Sequence, residues 1–245
     1  MEEIAKKIYN YSLNFGIADE KFLFDLFYSL LMSLKINKNI KVQFSNEGCA
    51  FLIRYYPEEN KVYINYKKLL IILKKIVMLE RDLDYQNSIL YFNTKFLEAE
   101  VHEIQHIIQQ FKISECDGTF ECNMLITSDK KEQLLKKCGL YDSLKYVCNP
   151  LERQANIIST QYCSELIRNY YNRKVGNIFE RELEKKMVNG YNYNDYPARY
   201  FFDSFLINEL NNNVMNEQYF TRLQFGLKIS EYEYYNKLLE RRYIW

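Results

Sequence analysis

The chain has 245 residues, enough for one large or two small domains with a substantial core, so stability requires neither metal nor disulfides and any metal is expected to serve chemistry. Lys and Arg number 33 against 32 Asp and Glu, a formal charge of +1 that offers no basic surplus to recruit nucleic acid or an anionic membrane. The 23 Tyr and 16 Phe, beside only 7 Gly and 3 Pro, favour helices over a many-turned all-β fold.

At the N-terminus, acids and lysines alternate with single apolar residues and no export segment is visible; the longest apolar runs, such as 69–73, are far shorter than a membrane span. The expected compartment is therefore the cytoplasm, and Cys49, Cys116, Cys122, Cys138, Cys148 and Cys163 read as reduced thiols. Ile4, Ile8 and Tyr11 fall at helical spacing, and Asp19 is placed to cap a second, deeply buried helix over EKFLFDLFYSLLMSLKI. Residues 40–46 alternate apolar and polar, as does VYINY from Val62. The apolar run CAFLIRYY lies between them and a Pro57-Glu58-Glu59-Asn60 turn follows it, which predicts a small antiparallel sheet. Residues 67–80 return to helix.

Asp82, Asp84 and Asn87 read as turn and cap residues before a long helix over 88–113. Its apolar stripe is Leu97, Val101, Ile104, Ile108 and Phe111, and that face is expected to pack inward. His102 and His106, the chain's only histidines, fall roughly 120 to 180° from the middle of the stripe, where a cleft could receive them. Residues 114–148 are irregular, with a short helix expected at 128–137, and could form a lid or an interaction surface. Pro150 then suits the first turn of a helix carrying Leu151, Ala155, Ile158, Tyr162 and Leu166 inward, with Glu152 and Asn156 on a neighbouring face. Beyond Gly176 further helices are expected at 178–187, 198–210 and 230–242.

HEIQH, from His102 to His106, places two imidazoles one turn apart on one helix face, the spacing at which both can bind a single tetrahedral metal. A third ligand is needed. Lys112 stands where a three-histidine class would have its last histidine, which excludes that class. Glu115, Asp117 and Glu121 are nearer in sequence but lie in a loop, so Glu152, on a helix start oriented by Pro150, is the stronger candidate. Two imidazoles and a carboxylate would fix zinc and leave a position for water, from which the adjacent Glu103 could take the proton. Asn156, one turn after Glu152, could accept the free N–H of a ligating histidine. For an oxyanion donor the candidates are Tyr191, Tyr193, Tyr196 and Arg199, although an aromatic loop is the plainer reading of that cluster.

HEIQH followed by ERQAN resembles the gluzincin pattern, HExxH then ExxxD or ExxAN, and most resembles the ImmA/IrrE-type metallopeptidases over roughly residues 60–170. Together with the pattern along the chain, this predicts a single α+β, mostly helical zincin-like domain, with N-terminal helices at 1–38, a catalytic core at 39–173 and a helical C-terminal portion at 174–245. The resemblance implies zinc held by His102, His106 and Glu152, with Glu103 as general base and Asn156 matching the motif's Asn. The implied activity is cleavage of an intracellular protein, such as a regulator or host factor. The alternative expectation is a non-catalytic regulatory or interaction protein on the same scaffold.

Overall fold

The computed structural model describes residues 2–36, 40–45, 52–79, 83–115, 125–126, 128–130, 132–133, 136, 149–170 and 172–188. Their order is α1 (Glu2–Asn14), α2 (Glu20–Ser33), β1 (Lys41–Phe44), β2 (Ile53–Tyr56), β3 (Lys61–Ile64), α3 (Tyr66–Leu79), α4 (Tyr85–Ser114), α5 (Pro150–Tyr170) and α6 (Arg173–Val188). This is the mostly helical α+β fold that the sequence predicts. The helices expected at 198–210 and 230–242 lie outside the described residues, as do Tyr191, Tyr193, Tyr196 and Arg199 and every cysteine but Cys163.

Short polar side chains start the helices, because each supplies an acceptor for a backbone N–H that the first turn leaves unmatched. Asp19 Oδ1 accepts from Phe22 N–H at 2.7 Å, Asn65 Oδ1 from Lys68 N–H at 3.1 Å, and Asp84 Oδ1 from Asn87 N–H at 2.8 Å. Asn149 Oδ1 accepts from Leu151 N–H at 3.0 Å, and Asn172 Oδ1 from Val175 N–H at 3.0 Å. Gly176 lies inside α6 instead of preceding it. A Cβ there would stand 2.7 Å from Cβ of Arg168, so the missing side chain allows α6 and the end of α5 to approach closely.

The sheet has the order β1-β3-β2. β2 and β3 form the expected antiparallel hairpin over the 57–60 turn, closed by Asn60 at φ 53°. β1 pairs with β3 in parallel, where the alternation of 40–46 suggested an all-antiparallel sheet. The hairpin occupies one side of β3, so β1 takes the other, and it runs in the same direction as β3. Ile53, Tyr55, Val62 and Ile64 face the core.

The chain divides into two compact units, Met1–Ile107 with Ile157–Lys185, and Ile108–Asn156 with Lys186–Trp245, and the three divisions fall inside the continuous helices α4, α5 and α6. In the first unit Asn93 ties α4 to the turn between α1 and α2. Its Oδ1 accepts from Ala18 N–H at 2.8 Å, and its Nδ2 donates to Ser12 Oγ at 2.9 Å and to the Gly16 carbonyl at 2.8 Å. Tyr66 stacks on Phe96, and Tyr91 meets Phe179 edge-on. In the second unit Asn149 Nδ2 donates to Glu132 Oε2 at 2.7 Å, and the described residues between 125 and 136 are helical, in line with the short helix expected there. No helix among the described residues is long and apolar enough to cross a membrane.

α4 departs from the expectation of one inward face. Leu97, Val101 and Ile104 are buried, but from Ile89 to Ile107 so are all other residues except Ala99, His102 and His106. The helix is packed on nearly every side, and its polar residues must therefore find partners in the interior.

Glu100 is the exception among them. It is 1 % exposed, and neither carboxylate oxygen meets a hydrogen-bond partner among the described residues. Burial pushes its carboxyl well above the usual carboxylate range, and Lys7 offsets this only in part. Below the unfolded pKa both states hold the proton and nothing is gained or lost. As pH rises above it, the unfolded chain ionises freely while the folded chain does not, so stability falls. Glu100→Gln, which keeps the shape without the titration, is expected to raise the urea midpoint relative to the wild type at pH 7. The gain should vanish toward pH 4, and a gain independent of pH would refute the assignment.

Candidate metal centre

α4 runs for 30 residues without Gly or Pro, so its register is uninterrupted from the Asp84 cap to Ser114. Ala99, His102 and His106 lie along one line of the helix surface, three and four residues apart, and form its half-exposed strip. His102 Nε2 and His106 Nε2 face one another at 3.0 Å, with ring planes at 84°. Glu152 sits in the first turn of α5, behind the Asn149 cap and Pro150, and is 8 % exposed.

One nitrogen from each ring and one oxygen of Glu152 all lie within 4.8 Å of one another. The donor set fits a divalent metal. Two ligands of a tetrahedral zinc at 2.0–2.1 Å stand about 3.3 Å apart, close to the separation of the two imidazole nitrogens. The carboxylate supplies the negative charge that two neutral imidazoles lack. His102, His106 and Glu152 therefore form a metal-binding cluster consistent with an HExxH zinc site of gluzincin type.

Polar side chains join α4 to α5 in each of the two units. In the first unit Cys163 Sγ donates to the Thr94 carbonyl at 3.8 Å and Thr160 Oγ1 to Glu98 Oε1, while Asn172, which precedes α6, donates through Nδ2 to Asn87 Oδ1 at 2.6 Å. Farther along, Gln109 Nε2 donates to the Leu151 carbonyl at 3.0 Å and to Gln154 Oε1 at 2.7 Å. Within each unit a buried polar side chain of α4 thus meets a partner on α5.

Glu103, beside the first histidine, is 7 % exposed. Its Oε2 accepts the backbone N–H of Tyr55 in β2 at 2.9 Å, so a strand amide fixes the carboxylate's direction. One turn before His102, Glu98 Oε2 accepts from Lys95 Nζ, which also donates to Glu182 Oε2 at 2.8 Å, while Glu182 Oε1 accepts from Tyr91 OH at 2.6 Å. Burial alone would lower the Lys95 ammonium, but the Glu98 and Glu182 carboxylates hold it above the ordinary lysine range.

Of the sequence candidates, His102, His106 and Glu152 come together, and Asn156 follows one turn later on α5, half-buried. Glu115 is exposed at the end of α4, and Asp117 and Glu121 lie outside the described residues. Sequence reasoning missed the Tyr55 amide, which no side-chain pattern marks. It also missed Glu98 and Thr160, whose places one turn before His102 and one turn after Asn156 extend the same ladder of polar residues and could have marked them.

Zinc content by plasma mass spectrometry is expected to be about one per chain, and to fall to background in His102→Ala, His106→Ala and Glu152→Ala. Glu115→Ala should retain the metal; its loss there would assign the carboxylate ligand to the wrong residue. No protein family, curated protein or solved structure matches this chain.

Proposed function

We propose that the chain is a zinc-dependent peptidase that hydrolyses a peptide bond of an intracellular protein, with Glu103 as general base. The reading is carried by the convergence of two imidazoles and a carboxylate within 4.8 Å, with an acid next to the first histidine. His102, His106 and Glu152 would be the ligands. Zinc bound there would lower the pKa of a water to about 7 and polarise a peptide carbonyl.

The remaining steps belong to the chain's own residues. Glu103 takes the proton of the water as its oxygen attacks the carbonyl carbon. It passes that proton to the nitrogen as the C–N bond breaks, and a carboxylate and an amine leave. The Tyr55 N–H, by holding Oε2, orients the carboxylate before substrate arrives and avoids the cost of ordering it later. If His102 held the metal through Nε2, its Nδ1 would carry the ring proton, and Asn156 is assigned to accept it and so fix the tautomer.

A protein substrate is favoured because β2 is an outer strand of the described sheet and its backbone reaches Glu103, so an extended peptide laid along β2 would pass the base. HEIQH with ERQAN follows the gluzincin pattern and resembles ImmA/IrrE-type metallopeptidases, which suggests a regulator or host factor as target. The cytoplasm is assigned as compartment, where the chain's six cysteines would be kept as thiols.

The test incubates the zinc-loaded protein with a proteome-derived peptide library and reads new termini by mass spectrometry. Glu103→Gln should retain zinc while cleavage falls by about 10²- to 10⁴-fold. If the loaded wild type cuts no more than this variant, the peptidase reading fails and a non-catalytic metal-binding scaffold replaces it.

A further inference from the structure

We propose that two buried hydrogen-bonded pairs, Gln109 with Gln154 and Glu98 with Thr160, are positioning residues that hold Glu152 at ligand distance from His102 and His106 and thereby set the affinity for zinc. The inference rests on the metal-binding reading and adds residues that touch no metal.

The two pairs stand on either side of the histidines. Gln109 lies three residues beyond His106. It donates both to Gln154 Oε1 at 2.7 Å and to the carbonyl of Leu151, the residue before Glu152, at 3.0 Å. Glu98 lies four residues before His102. It accepts from Thr160 Oγ1 through one oxygen and from Lys95 Nζ through the other. Lys95 is itself held by Glu182, and Glu182 by Tyr91, so the Glu98 carboxylate has little freedom to turn. Gln109, Gln154, Glu98 and Thr160 are all buried.

Apolar packing alone would not give this precision. Buried Leu, Ile and Val side chains favour contact without direction, whereas a zinc site tolerates errors of only about 0.2 Å in ligand distance. Sliding a helix by a single residue moves it about 1.5 Å and turns it by about 100°, enough to remove Glu152 from the ligand set. Each buried pair opposes that slide, because a broken one would leave polar atoms unsatisfied in the interior. Had the pairs served stability alone, their loss would lower the melting temperature and leave the zinc affinity of the folded protein unchanged.

The experiment measures zinc dissociation constants by chelator competition at a temperature where circular dichroism shows every variant folded. Gln109→Leu and Thr160→Val are expected to weaken zinc about 10- to 100-fold, while Thr160→Ser, which keeps the hydroxyl, stays within about 3-fold of the wild type. Gln154→Leu is a second route to the Gln109 pair if either variant fails to fold. Cobalt(II) in place of zinc supplies a second readout, since the intensity of its visible bands follows tetrahedral geometry and should drop in the leucine and valine variants only. Wild-type affinity and cobalt spectrum in those folded variants would overturn the inference while leaving the metal site intact. A wild type with no affinity for zinc would overturn the metal reading, and this inference with it.

Discussion

The feature on which the rest depends is the set of buried polar side chains that joins α4 to α5 in each unit. Hydrophobic burial draws two helices together but has no directional component that would set their offset along the axis to a few tenths of an ångström. Hydrogen bonds between Glu98 and Thr160 and between Gln109 and Gln154 do have direction, because each is made in only one alignment of its partners. The histidines inherit that definition. They need no loop to aim them, because a helix without Gly or Pro carries their phase from the Asp84 cap to Ser114.

The same helix places three acids in the interior within six positions, and the fold accommodates each differently. Glu98 is neutralised by Lys95 and bonded by Thr160. Glu103 receives a backbone amide from β2. Glu100 has no hydrogen-bond partner among the described residues, and burial, offset only in part by Lys7, favours its neutral form. A carboxylate bonded to an amide stays oriented, whereas one held neutral is a cost to the fold, and the amide-bonded acid is the one beside His102. Orientation has gone to the residue whose geometry chemistry would need.

Much of this was legible in the sequence because it is local. HEIQH on a long apolar-phased helix, Glu152 behind Pro150, the caps at Asp19 and Asp84, and the hairpin over the 57–60 turn all follow from spacing and residue type within a few positions. What escaped is non-local. The alternation of Lys41–Phe44 identifies a strand but not its neighbour, so the parallel pairing with β3 could not be read. A stripe from Leu97 to Phe111 implies one packed face, yet α4 is packed on several. Its polar residues resemble a solvated face until their partners on α5 and α6 are known. Gly176 resembles a break until Arg168 is found against it.

These buried pairs have a consequence for how such a chain could vary over evolutionary time. Substitution within 98–109 of α4 or 151–160 of α5 can be absorbed side chain by side chain, but inserting or deleting one residue in either span would rotate everything beyond it by about 100° and separate the ligands from one another. Changes of length in the segment that joins the two helices leave the phase of both unaltered, and longer connections cost only a slowly growing entropy. Relatives that share the metal centre are therefore expected to keep the lengths of these two spans fixed while the segment joining them differs freely in both size and composition.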